Sequence, residues 1–150
     1  MSESLEALDR RIRCHIYDQT MRTGVPPLSH QIAIALKLDD SAVVESLVRL
    51  GAAHILVLQP DSGEILMANP FSAVPTPFQV EVNGMSTYGN CIWDALGIAA
   101  MLNADARIRT SCGDCGTAAE VAVVAGSVRG EGIMHFAIPA LHWWDDIVFN

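Results

Sequence analysis

Cys91 and Asp94 are the residues of this chain whose types and spacing most directly invite chemistry. They stand in Tyr88-Gly89-Asn90-Cys91-Ile92-Trp93-Asp94, which opens the apolar run from Ala95 to Leu102. A thiol and a carboxyl three residues apart project from one face of a helix, about a turn from each other. With Asn90 as N-cap, Cys91 takes the first helical position, where free backbone N–H groups and the helix dipole favour a thiolate. The thiolate is the nucleophilic and metal-binding form. Asp94 meets opposing demands: the helix N-terminus favours its carboxylate, whereas burial and a neighbouring thiolate favour its acid. The positions up to Leu102 are apolar nearly all the way round, so a buried helix is expected. The same pair also fits a structural account, a small buried cysteine beside a carboxylate that satisfies N–H groups of its own helix.

A second thiol motif is Cys112-Gly113-Asp114-Cys115-Gly116. Two thiolates converging on a tight turn can chelate a soft metal, but this is half of a zinc site, with no second Cys-x-x-Cys. The other candidates, Cys14, Cys91, His15, His30, His54, His135 and His142, have no ligand spacing. A thioredoxin-like motif would open a helix, and this one joins strands. A structural turn, a metal half-site and a thiol relay all remain open. Cys14 reads as a small core residue of a helix. His142 with Asp145 or Asp146 forms a further ligand-like group, set against a tail that packs Trp143 and Trp144 over the core with its charges outward.

The elements that position these residues follow from periodicity. Apolar residues at Leu5, Leu8, Ile12, Ile16 and Met21 predict a first helix over 4–22, ended by Thr23-Gly24-Val25-Pro26-Pro27. A second helix starts at Ser29 as cap. A third follows Asp39 or Asp40 and stops at Gly51. Runs 54–58 and 64–68, joined by Pro60-Asp61-Ser62-Gly63, read as a hairpin. Three helices and a hairpin make the order of a winged helix. DNA reading needs cations for phosphate, yet the third helix offers only Arg49 and the hairpin none, so nucleic acid is disfavoured as a partner and a scaffold role favoured. A proline-rich connector, 71–77, leads to strands at 78–82 and 85–88 with an Asn83-Gly84 turn. Beyond the central helix come strands over 106–111, 118–124 (buried) and 133–138, with a loop over 126–132, and a tail forming a helical turn and the start of a strand at 147–150. The fold class is therefore α+β: a winged-helix-like three-helix domain with hairpin (1–70), the linker, then a small antiparallel sheet packed on a buried central helix (78–150).

Composition sets the remaining bounds. The 150 residues are 51% hydrophobic, enough for a real core, and carry a net charge of −8 with one lysine and eight arginines. An acidic surface disfavours polyanions such as DNA or anionic membranes. No apolar run nears the roughly 20 residues that span a bilayer, and no signal-peptide pattern opens the chain. The expected location is the cytoplasm, where cysteines stay reduced and metal or catalytic roles outrank disulfides.

The segment Tyr88 to Asp94 with its Cys-x-x-Asp, the apolar helix, Cys112 after the next strand and the closing His142-Trp143-Trp144-Asp145-Asp146-Ile147 resemble the alkylmercury lyase (organomercurial lyase) family, as does the preceding winged-helix-like half. That resemblance implies a mercury-resistance enzyme that cleaves the carbon–mercury bond without a cofactor, using two cysteines and an aspartate. It makes Cys91 the thiolate that captures mercury, Asp94 the acid that protonates the departing carbon, and Cys112 a structural cysteine. It also implies a mercuric reductase as acceptor of the product. A soft cation suits thiolates, proton delivery needs an acid at hydrogen-bond distance, and an apolar pocket lined by Trp93, Met85 and Phe78 would suit the substrate. The family's second catalytic cysteine lies on a later strand, and no cysteine follows Cys115 in this sequence. Cys112 or Cys115 is then the candidate substitute thiolate. The competing expectation is a non-enzymatic module that binds or senses Hg(II) or Zn(II) through Cys91, Cys112 and Cys115.

Overall fold

Ser4 begins the first helix by accepting the Ala7 N–H on its hydroxyl at 3.2 Å. Gly24 ends it in the left-handed conformation (φ 81°), where a Cβ is disfavoured. The computed structural model describes residues 3–148. In it α1 (Leu5–Thr23) is followed by α2 (Ser29–Leu36) and α3 (Asp40–Ala52). Ser29 is the first residue of α2 rather than its cap: Leu28 precedes the helix, and the Ser29 N–H and hydroxyl both donate to the Glu64 carboxylate at 2.8 and 2.6 Å. A charged acceptor at a helix N-terminus is a stronger partner than the helix's own amides. Arg49, the cation of α3, is held in a bidentate pair by Asp9 of α1, with its shortest contact at 2.7 Å, and that pairing keeps the Asp9 carboxyl below its ordinary range. It is thereby committed within the fold.

Three short strands follow. β1 (Val57–Leu58), β2 (Ile65–Ala68) and β3 (Phe71–Ser72) form an antiparallel sheet in sequence order. Only the last two residues of the expected run 54–58 are strand, because the chain leaves α3 through His54 in a left-handed conformation (φ 57°). β3 comes from the start of the proline-rich segment expected to be a connector. Ala68 pairs with Phe71 across Asn69-Pro70, whose peptide bond is cis, and Phe71 is fully buried.

The second sheet contains β4 (Gln79–Val82), β5 (Met85–Tyr88), β6 (Ala106–Ser111), β7 (Ala118–Val124) and β8 (Ser127–Arg129), antiparallel throughout, in the order β5-β4-β6-β7-β8. Asn83 and Gly84 both take positive φ, as a two-residue turn matched to strand twist requires. α4 (Ile92–Leu102) lies over β3, β4 and β6 and meets their inward residues Phe71, Val80, Val82 and Ile108 with Ala95, Ile98 and Ala99. A separate core gathers Ile12, Ile16, Ile32, Val43, Leu47 and Leu56 from the first three helices and the approach to β1. α1 serves both, since its Met21 packs on the second core.

Four expectations fail beyond α4. β7 is a strand but largely exposed rather than buried, since the helix does not extend over it; only Val123 is buried. β8 falls in the expected loop because Ala125 and Gly126, both at positive φ, make a turn that lets Ser127 pair at once with Val124. Residues 133–138 are irregular instead of a strand, leaving Ile133 95% exposed. The tail forms a 3-10 helix over Ala140–Asp145, and the Trp144 ring stacks on His54 with centroids 4.2 Å apart. Ile147 and Val148 are turn, not strand, and the rest of that expected strand lies outside the described residues. No helix among the described residues is long and apolar enough to cross a membrane.

Phe71 carries the seam between the small sheet and α4, so Phe71→Ala should lower unfolding stability by about 3–5 kcal/mol in urea titration.

Candidate functional site

The turn from β5 into α4 is fixed before any reactive residue is reached. The Gly89 N–H donates to the Phe78 carbonyl at 3.0 Å, and the Thr76 hydroxyl donates to the Gly89 carbonyl at 2.6 Å. A Cβ at Gly89 would stand 2.5 Å from the Ala95 amide nitrogen, so only glycine lets the strand end lie against the first turn of the helix. On the next turn Gly97 admits Pro70 closely, with 3.4 Å from the position of a Cβ to the proline ring.

Cys91 is the N-cap of α4, in extended conformation (φ −145°, ψ −177°), and Ile92 is the first helical residue. This corrects the expected register by one position, and it also changes the electrostatics. The Cys91 thiol is half-buried and its pKa is raised. Burial is the main cause and the Asp94 charge adds to it, while the backbone amides of Asp94 and Trp93 pull the other way. The expected thiolate preference of the helix terminus is therefore outweighed by desolvation. Asp94 is raised too, again through burial, opposed by a hydrogen bond from Asn90. Both groups of the pair are held toward their protonated forms.

Asn90, the expected cap, has another task. Its Nδ2 donates to Asp94 Oδ2 at 2.9 Å and to Asn69 Oδ1 at 3.0 Å, with the Pro70 carbonyl at 3.4 Å. Its Oδ1 is buried without a hydrogen-bond partner. Asn69 is held in turn by Tyr17 of α1, whose hydroxyl donates to the Asn69 carbonyl at 3.0 Å. The Tyr17 pKa is raised, by burial first, with Arg13 opposing and the Asp94 charge adding. A chain of contacts thus runs from α1 through the β2–β3 turn to the carboxyl on α4. Sequence reasoning missed Tyr17, Asn69 and Pro70. The four-residue spacing from Asn90 to Asp94 was a usable signal for that pair; the 52-position separation of Tyr17 and Asn69 carried none.

The other sequence-derived candidates separate. Trp93 does not wall a pocket: it is 61% exposed. Met85 and Phe78 pack on the second core instead. Two surface grooves, one of about 550 Å³ along β4, β5, β6 and β7 and one of about 370 Å³ between α3, β1 and the tail, are lined without Cys91 or Asp94. Cys14 is exposed rather than in the core, because it lies off the stripe of Ile12 and Ile16. Cys112 and Cys115 are both exposed on the β6–β7 connection. The Cys115 thiol is lowered to about 7, mainly by the Thr117 hydroxyl at 3.2 Å, with the Thr117 amide and the Cys112 thiol adding. His142 Nδ1 lies 3.0 Å from Asp145, and Trp143 donates to the Ile138 carbonyl at 2.8 Å. No group of three or more His, Cys, Asp or Glu side chains among the described residues is placed to hold a metal ion.

The alkylmercury lyase (MerB) family matches residues 71–149, more than half of the sequence, from β3 through the tail. This chain belongs to the alkylmercury lyase family. The fold has a counterpart in the crystal structure of the mercury-bound form of MerB2, with a TM-score of 0.61 and 20% identity over 83% of this chain. The likeness covers 65% of that chain, so this sequence spans a little under two thirds of its length. No curated protein matches. Cys91, Asp94, Cys112 and Cys115 all lie within the matched lyase segment, whereas Tyr17 and Asn69 lie before it.

Two outcomes follow for this candidate site. Removing the donor in Asn90→Ala should move the Asp94 pKa further up, read by infrared or NMR titration of the carboxyl. Because the Asp94 pKa in the fold is raised above 3.8, its stability contribution is fully present below that value and lost as pH rises through the folded pKa. Asp94→Asn should therefore raise the melting temperature at neutral pH, with the gain shrinking toward pH 3 in thermal melts.

Proposed function

We propose that this chain captures an organomercury compound through Cys91 and releases its hydrocarbon by protonation from Asp94. The observation that carries this reading is the placement of a half-buried thiol and a carboxyl held toward its acid form on the same turn of α4. In capture, the sulfur of Cys91 replaces the outgoing ligand on R–Hg–X, and its proton leaves with that ligand as HX. Asp94, which burial holds toward its acid form, keeps its own proton for the next step. In cleavage, the carbon–mercury bond breaks with its electron pair going to carbon, and the Asp94 proton goes to that carbon to give R–H. Mercury stays Hg(II) on the Cys91 sulfur, its charge balanced by the Asp94 carboxylate. No electron changes hands. Soft-metal preference for sulfur drives the first step, and a positioned acid contributes about 10²–10⁴-fold to the second.

Asn90 orients the acid, and Trp93, exposed beside it in the sequence, offers an aromatic contact at the surface. Within this reading the residues from 78 onward form the lyase core, the first 70 support it, and Hg(II) passes on to thiol acceptors such as those of a mercuric reductase in the cytoplasm. The alternative is a soft-metal binding or sensing module without turnover. The exposed Cys112 and Cys115 pair favours it.

Incubation with a methyl- or phenylmercury compound, with detection of methane or benzene, decides between them. Cys91→Ala should neither retain mercury at this site nor release hydrocarbon. Asp94→Asn should still capture mercury but lose about 10²–10⁴-fold in hydrocarbon release. If the unaltered chain releases hydrocarbon no faster than Cys91→Ala, the enzyme reading fails, and stoichiometric retention without release supports the binding module.

A further inference from the structure

The Cys-x-x-Cys turn is left over by this chemistry, and its geometry is well defined. It fills the connection between β6 and β7, where Ser111 pairs with Ala118. The Cys112 N–H donates to the Thr117 carbonyl at 2.8 Å, and the Gly116 N–H donates back to the Cys112 carbonyl at 2.9 Å. Gly116 supplies the positive φ (70°) that closes the loop. Two thiols three residues apart are thus held on one closed turn, both open to solvent, with the Thr117 hydroxyl 3.2 Å from the Cys115 sulfur.

We propose that Cys112 and Cys115 form a surface dithiolate site for a soft cation that is satisfied by two sulfur ligands, Hg(II) above all. The coordination number carries the choice. Zinc in a structural site takes four ligands, tetrahedrally, and among the described residues no third Cys, His, Asp or Glu joins this pair. A d¹⁰ cation content with two thiolates needs nothing more. Binding is plain exchange: Hg²⁺ and two thiols give one Hg(SR)₂ group and two released protons, with no change of oxidation state.

The sheet places this turn usefully. Gln79 of β4 pairs with Tyr88 of β5 on one side and Arg109 of β6 on the other. β5 and β6 therefore run in the same direction, and Cys91 and Cys112 each come three residues past one row. Both leave the same end of the sheet, from strands about 10 Å apart. The pair is an outer station for the cation on the end of the sheet that carries the inner thiol. The site needs neither turnover nor Asp94, so its fate is separable from the lyase reading.

The test uses the full chain with Cys14→Ser and Cys91→Ser, which removes the exposed thiol of α1 and the inner thiol. One equivalent of HgCl₂ is added, followed by rising concentrations of a monothiol competitor, with bound mercury read by native mass spectrometry and the sulfur neighbours counted by X-ray absorption. The expected result is one mercury with two sulfur neighbours. Chelation by two linked ligands should make retention about 10²–10⁴-fold more resistant to the competitor than in Cys112→Ser or Cys115→Ser on the same background. Both substitutions lie on an exposed turn, and circular dichroism checks that the fold is kept. Equal retention in either variant that keeps one thiol on the turn, four sulfur neighbours, or stoichiometric zinc in the metal-loaded protein would overturn the proposal.

Discussion

Position 89 admits no side chain, and the placement of Cys91 and Asp94 depends on that fact. The strand end lies so close to the first turn of α4 that even a methyl group would collide with the backbone of Ala95. The contact sets where the helix begins, and so makes Cys91 the cap and puts Asp94 within reach of Asn90. The flanking bonds from Thr76 and to Phe78 fix the same turn from the connector side. α4 then has one seat on the sheet, with Pro70 against Gly97 and Phe71 beneath.

Within that seat, burial decides the chemistry. A helix N-terminus by itself favours anions, and a thiol and a carboxyl there would both be expected to ionise readily. Desolvation reverses the tendency for both groups. The protein keeps this polar pair where desolvation is costly, with the Asn90 amide as hydrogen-bond donor to Asp94. Cys115 is the counterexample on the same sheet: exposed, with hydroxyl and amide donors nearby, its thiol moves the other way.

Local patterns were readable where local physics governs. The α1 to α4 helices, the Asn83-Gly84 turn and the strands from β4 to β6 all follow from periodicity and turn residues, and the pair Cys91 and Asp94 stood out from type and spacing alone. The failures share a different origin. Ser29 lost its capping role to a carboxylate 35 residues away. The run 118–124 is as apolar as a buried strand, but its burial depends on whether α4 extends over β7, which no window of sequence records. Residues 133–138 have strand-forming composition and no neighbouring strand to pair with among the described residues. Trp93 was expected in a pocket wall because an apolar lining would suit the substrate that the family resemblance implies, and its exposure reflects the rotation of α4 on its seat. The partners of Asp94 came from α1 and the β2–β3 turn, and long-range polar contacts leave little trace in a single sequence.

The hydrogen bond from Tyr17 to Asn69 ties together parts of the protein that belong to different cores. Asn69 is gripped from one side by a helix of the first core and from the other by the asparagine that steadies the acid. Local opening usually proceeds in cooperative blocks, each with its own free energy. Here the block holding Asp94 borrows rigidity from the block built on the first three helices. Fraying of α1 would therefore loosen the support of the Asp94 carboxyl before it disturbed the Cys91 thiol, and substitutions on the buried face of α1 would register first as a change in the titration of Asp94.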